Sequence, residues 1–129
     1  MGSTMPVTYE IRGSILIVTL IGTVGNEVTP AISKAMADPA FKVGTSLLLD
    51  VRACTDLPSS KEFRQRAVSL AGRQQKGLST RCAAVIGKSA VEYGVARMAS
   101  THAEIQGVTM EIFTDFDEAL HWLERAEEP

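Results

Sequence analysis

The sequence predicts an α/β fold: a mainly parallel central sheet of about five strands, opened by an antiparallel hairpin and flanked by about four helices, in the order β-β-α-β-α-β-α-β-α. Three observations predict it. Two β-rich runs near the start are separated by a glycine-containing pair, which is hairpin patterning. Later apolar runs are continuous rather than alternating, as in strands covered on both faces of a parallel sheet. Between them lie stretches with helical spacing, and strands that alternate with helices need crossover connections.

Thr8 to Arg12 reads as the first strand, Gly13-Ser14 as a turn, and Ile15 to Ile21 as the second strand. Val28, Ile32, Ala35 and Met36 then share one helical face. Asn26 suits the N-cap, Pro30 tolerates a first turn because its missing N–H has no helical partner there, and Asp38-Pro39 ends the helix. Ser46 to Val51 is a buried strand. Ser59 to Lys76 is the next helix, with Phe63, Ala67, Leu70 and Ala71 inward and Gly77 at its close. Cys82 to Ile86 is another strand, followed by a helix with Val91, Val95, Met98 and His102 on one side. Thr109 to Phe113 is the last strand, and Phe116, Ala119, Leu120 and Leu123 line the last helix. Ser59, Ser89 and Asp115 each stand three residues before a glutamate, the spacing at which a side chain caps a helix start.

A chain of 129 residues suits one domain: residues 1–6 are expected to be a flexible N-terminus, and 7–127 the domain. A hydrophobic fraction of 45% supplies a core without disulfides or metals. Cys54 and Cys82 stand far apart and outside any CxxC pattern, which reads as reduced thiols. A net charge of −2 argues against a nucleic-acid partner, because neutralising phosphates needs a concentrated basic surface. The longest apolar run, Ile15 to Ile21, falls far short of the ~20 residues of a membrane span. The first residues lack the basic and apolar regions of a secretory signal, so a cytoplasmic location is expected.

Leu47-Leu48-Leu49-Asp50-Val51 is followed, eight residues past Asp50, by Pro58-Ser59-Ser60. With the strand order, this resembles the SpoIIAA-like/STAS family, whose anti-sigma-factor antagonists carry an apolar strand, a short loop and Asp-Ser-Ser-Gly at the next helix start. The stretch Phe116-Asp117-Glu118-Ala119-Leu120-His121-Trp122-Leu123 is similar to the ending of uncharacterised bacterial SpoIIAA-like proteins. The resemblance implies a protein-interaction module whose phosphorylation site falls on Ser59. It also implies kinship in fold to CRAL-TRIO lipid-binding domains. The family's aspartate is Pro58 here and its glycine is Lys61, which weighs against a kinase that reads the full motif.

Phosphate on Ser59 would sit at a helix N-terminus, where the dipole and free N–H groups favour negative charge. Lys61, Arg64, Arg66, Arg73 and Lys76 make that helix basic and Arg81 follows it, whereas Asp115, Asp117, Glu118, Glu124, Glu127 and Glu128 gather near the C-terminus. Such asymmetry suits steering of an acidic partner or a lipid head group. Gly87-Lys88-Ser89 invites a P-loop reading, but the glycine that motif needs five residues before Gly87 is Cys82. His102 and His121 lack partners at metal-ligand spacing, and no Gly-x-Ser-x-Gly elbow accompanies a serine. No catalytic role, metal or cofactor is expected.

The expected function is therefore regulatory protein binding, through the loop after the third strand and the helix that follows. Ser59, Ser60, Asp50, Asp56, Lys61 and Arg64 are the candidate switch and contact residues. The alternative is a carrier or sensor of a small apolar ligand, in a helix–sheet pocket lined by Met36, Met98 or Met110. An edge strand and few aromatic residues allow a homodimer.

Overall fold

A computed structural model describes residues 7–22, 28–54, 72, 77–87 and 90–125. Strand β1 (Val7–Arg12) pairs antiparallel with β2 (Ile15–Gly22), with Arg12 opposite Ile15 across the two residues Gly13 and Ser14. Gly13 has φ +61°, and no described non-glycine residue has positive φ. Glycine thus holds the first central position of a II′-type turn, whose twist matches that of the strands it joins.

Helix α1 (Val28–Met36) leads to β3 (Thr45–Cys54), and β4 (Leu78–Val85) leads through α2 (Ala90–Ile105) to β5 (Thr109–Phe113) and α3 (Phe116–Arg125). The helix expected over 59–76 lies outside the described residues, apart from Gly72, which is helical. The five strands are ordered β1-β2-β3-β4-β5, and every pair after the first is parallel. The expected mainly parallel sheet with its antiparallel opening hairpin is therefore observed. Among the described residues no helix is long and apolar enough to cross a membrane.

Each parallel step moves one place in the same direction, and right-handed crossovers then lay the connecting helices on one face. On that face Ile32 and Ala35 of α1 and Ala103 of α2 pack with Leu16, Val18, Leu47 and Cys82. On the opposite face Ala119, Leu120 and Leu123 of α3 pack with Ile15, Ile17, Leu48, Ala83 and Val85. Successive strand residues point to opposite faces, so β2 and β3 must be apolar at nearly every position. That is why these runs are continuous rather than alternating.

Two strand boundaries differ from the sequence reading. β4 begins at Leu78, four residues before the apolar run at Cys82, because Ser79 and Arg81 are strand residues on the α3 side. β3 continues past Val51 to Cys54 through a register shift opposite Leu20. Among the described side chains of α2, Ala96 and Ala103 are buried and Met98 and His102 of the expected face are half-buried, whereas Val91 and Val95 lie outside the described side chains.

Two polar contacts fix the helix ends. Asp38, after α1, accepts from the Ala40 backbone N–H (2.9 Å) and from the Tyr9 hydroxyl of β1 (2.9 Å). Those two donors, the backbone one foremost, hold the Asp38 carboxyl below its ordinary pKa. At the start of α3, Asp115 Oδ1 accepts from the Glu118 N–H (3.1 Å), so the expected cap is made. On α2, the Ser100 hydroxyl donates to the Met110 carbonyl of β5 (3.0 Å).

Candidate functional site

In open α/β sheets ligands and partners meet the carboxyl ends of the strands. Here the residues level with that end are Thr19, Asp50, Val85 and Phe113, which lie side by side across β2, β3, β4 and β5. Asp50 is the charged member of this row, and it is 8% exposed. A buried carboxylate needs a partner, and Arg52 supplies it. Arg52 Nε donates to Asp50 Oδ1 (2.9 Å) and Arg52 Nη2 to Oδ2 (2.7 Å), a two-pronged fork.

The strand itself is shaped for this pair. Register passes from Thr19 opposite Asp50 to Ile21 opposite Ala53, so β3 spends three residues where β2 spends two. The extra residue makes a bulge, a device that re-aims side chains. The Arg52 backbone N–H donates to Asp50 Oδ1 (3.2 Å). Past the bulge the alternation is reset: Cys54 packs on the same core as Leu47, Leu49 and Val51.

Arg52 also reaches α3. Its guanidinium carbon lies 5.5 Å from the Phe116 ring centroid, within cation–π range. The fork to Asp50 foremost, with the charges of Asp50 and Asp115, raises the Arg52 pKa. Burial alone would raise the Asp50 pKa, but the Arg52 side-chain and backbone hydrogen bonds and its charge prevail and hold it below the ordinary value. A carboxylate depressed in this way stabilises the fold above its unfolded-state pKa, and the contribution disappears as pH falls through the folded-state pKa. The stability gap between the native chain and Asp50→Asn is therefore expected to be widest near neutral pH and to close below about pH 4, the ordinary aspartate range. Urea midpoints across pH 2.5–7 check this, and a gap that persists unchanged in acid would contradict the ionised pair.

Further along the α3 face, Arg81 of β4 lies under Trp122, with its guanidinium carbon 4.0 Å from the ring centroid. Arg81 Nε is buried without a hydrogen-bond partner, so the indole face stands in for an acceptor. Trp122 also meets Phe113 at 5.8 Å and an interplanar angle of 52°. Arg81 thus belongs to the packing beneath α3 rather than to an outer basic surface. The acidic residues Asp115, Asp117, Glu118 and Glu124 are exposed as expected.

Of the sequence-derived site residues, Asp50 lies at the carboxyl end of the sheet, whereas Asp56, Ser59, Ser60, Lys61 and Arg64 lie outside the described residues. Arg52, Phe116 and Arg81 were not singled out for this surface. A signal for Arg52 existed: two residues apart on a strand, Asp50 and Arg52 share a face. Cys54 and Cys82 are not joined in a disulfide. Burial pushes Cys82 up to about 12, which removes it as a nucleophile at neutral pH. Met36 and Met110 pack against the core cluster on the α1 side.

No protein-family model matches the sequence, and no curated protein matches it. Among solved structures, the chain is similar to an uncharacterised protein of the DUF3478 family with a SpoIIAA-like fold from Shewanella loihica. The TM-score is 0.60 at 20% identity, over 95% of this chain and 98% of that one. It is also similar to an anti-sigma factor antagonist from Mycobacterium paratuberculosis, with a TM-score of 0.55 at 15% identity over 92% of each chain.

Proposed function

We propose, starting from the SpoIIAA-like fold this chain has, that it is a regulatory protein-interaction module without catalytic activity. The observation that carries the reading is likeness over nearly the whole chain to an anti-sigma factor antagonist, a protein whose name describes action on another protein. The site geometry supports it. Asp50 and Arg52 satisfy each other and brace α3, so neither stands ready as a free acid or base. The docking surface in this reading is the carboxyl end of β3 with Asp56 and the segment that opens at Ser59, Ser60, Lys61 and Arg64. Ser59 is its phosphorylation switch. The added charge of about −1.5 to −2, at the helix start that the sequence predicts, alters what the surface attracts.

The test begins with the protein purified from its own host, by native mass spectrometry beside the denatured intact mass. A covalent gain of about 80 Da on Ser59, one phosphoryl group, is the expected result. A saturable protein partner whose affinity differs between Ser59→Ala and Ser59→Asp completes it. Ser59→Asp is expected to melt cooperatively within about 1 kcal/mol of the native chain, since aspartate also caps helices. A small molecule held stoichiometrically in the native spray, with no saturable protein partner, would overturn the reading in favour of an apolar-ligand carrier.

A further inference from the structure

We propose that Arg52 is a latch between the docking surface and the last helix: while it grips Asp50 it seats the first turn of α3, and withdrawing it loosens that turn. The coupling is a property of the free chain and goes beyond the docking proposal, although its use by a partner rests on that proposal.

The residues form one connected path from strand to helix. Asp50 is fixed in β3 and buried. Arg52, carried on the bulge, is held by the Asp50 fork with its guanidinium carbon 5.5 Å from the ring centroid of Phe116, the first residue of α3. Asp115, the residue before Phe116, caps the helix and adds its charge to the attraction on Arg52. A guanidinium carries five N–H groups, and the fork uses two of them. The Arg52 side chain is 46% exposed, so the unused donors are open to an outside acceptor. A carboxylate on an approaching protein competes with Asp50 for the same fork geometry. If it wins, Arg52 leaves the Phe116 ring. The fork to Asp50 needs the two parallel N–H groups of a guanidinium, so lysine does not reproduce the hold.

The experiment uses the full chain alone. Hydrogen exchange is followed in peptides covering 116–125, with 7–22 as the control, and emission is recorded from Trp122, the one tryptophan of the sequence. Asp50→Asn and Arg52→Lys are each expected to speed exchange in 116–125 about two- to fivefold, the scale of a lost cation–π contact at a partly exposed site. Both are expected to shift Trp122 emission and leave 7–22 unchanged. In a Phe116→Leu background, which keeps apolar packing but removes the ring, Asp50→Asn is expected to add nothing further at α3. The proposal is overturned if Asp50→Asn and Arg52→Lys alter exchange only within 45–54. It is overturned equally if the effect on α3 persists undiminished without the Phe116 ring. Should Asp50→Asn fail to fold, Arg52→Lys alone and in the Phe116→Leu background decides the matter. Failure here leaves the docking proposal standing, because no partner enters the measurement.

Discussion

Leu48→Ala is expected to lower the unfolding free energy by about 3–4 kcal/mol, within the usual range for a leucine emptied from a core. Leu48 has no exposed surface, and it lies between Ile17 of β2 and Ala83 of β4, under α3. Two of its neighbours, Ala83 and Ala119, are fully buried alanines. They have no side-chain length with which to fill the space, and the backbone is held by hydrogen bonding to β2 and β4. The cavity therefore collapses little, which puts the cost above the low end of the range. In urea the midpoint falls while the slope stays constant, because the surface exposed on unfolding is nearly unchanged. Leu48→Met conserves volume and is expected to cost less than about 1.5 kcal/mol. A loss below about 1 kcal/mol in Leu48→Ala would contradict the placement of Leu48 beneath α3.

Trp122→Ala is expected to cost about 3 kcal/mol. The indole meets the Phe113 ring at a tilt and covers the Arg81 guanidinium, so its removal takes away an aromatic pair and a cation–π contact together. It also leaves the buried Arg81 Nε without the ring that faces it. Arg81→Met, made in the Trp122→Ala background, is therefore expected to cost less than it does in the native chain. The two residues touch, so their effects should fail to add. Far-UV circular dichroism in urea is the suitable probe, since the variant loses its tryptophan. Strict additivity of the two changes would show that Arg81 and Trp122 do not share an interaction.

Most of the sheet was legible because strand patterning is local. The run Ile15 to Ile21 and the run through Leu47, Leu48 and Leu49 are apolar on both faces, and the structure covers both faces. The Asp115 cap was legible for the same reason, since a side chain three residues before a glutamate reports its own geometry. The bulge in β3 was not. It arises from how β2 and β3 register against each other, and no residue type at Val51 or Arg52 announces it. The partners of Arg52 and Arg81 were hidden because Phe116 and Trp122 come from a helix many residues later in the chain, and only the fold brings them near. Asp50 was legible as a site residue, but its role as the anchor of Arg52 depended on contact.

The hydroxyl of Ser100 protects the rim of the sheet. Among the described residues β5 pairs with β4 alone, which leaves its other side as an edge of the described sheet. The Phe113 carbonyl accepts from Ile86 and therefore faces β4. Carbonyl directions alternate along a strand, so Met110, three residues earlier, turns its carbonyl outward to the unpaired side. That acceptor is the one Ser100 occupies. A foreign strand that tried to extend the sheet would have to displace a hydroxyl bond and push past α2 to do so. Exposed edges are where folded chains begin to stack into aggregates, and one side chain from a neighbouring helix takes up one outward acceptor of this fifth strand.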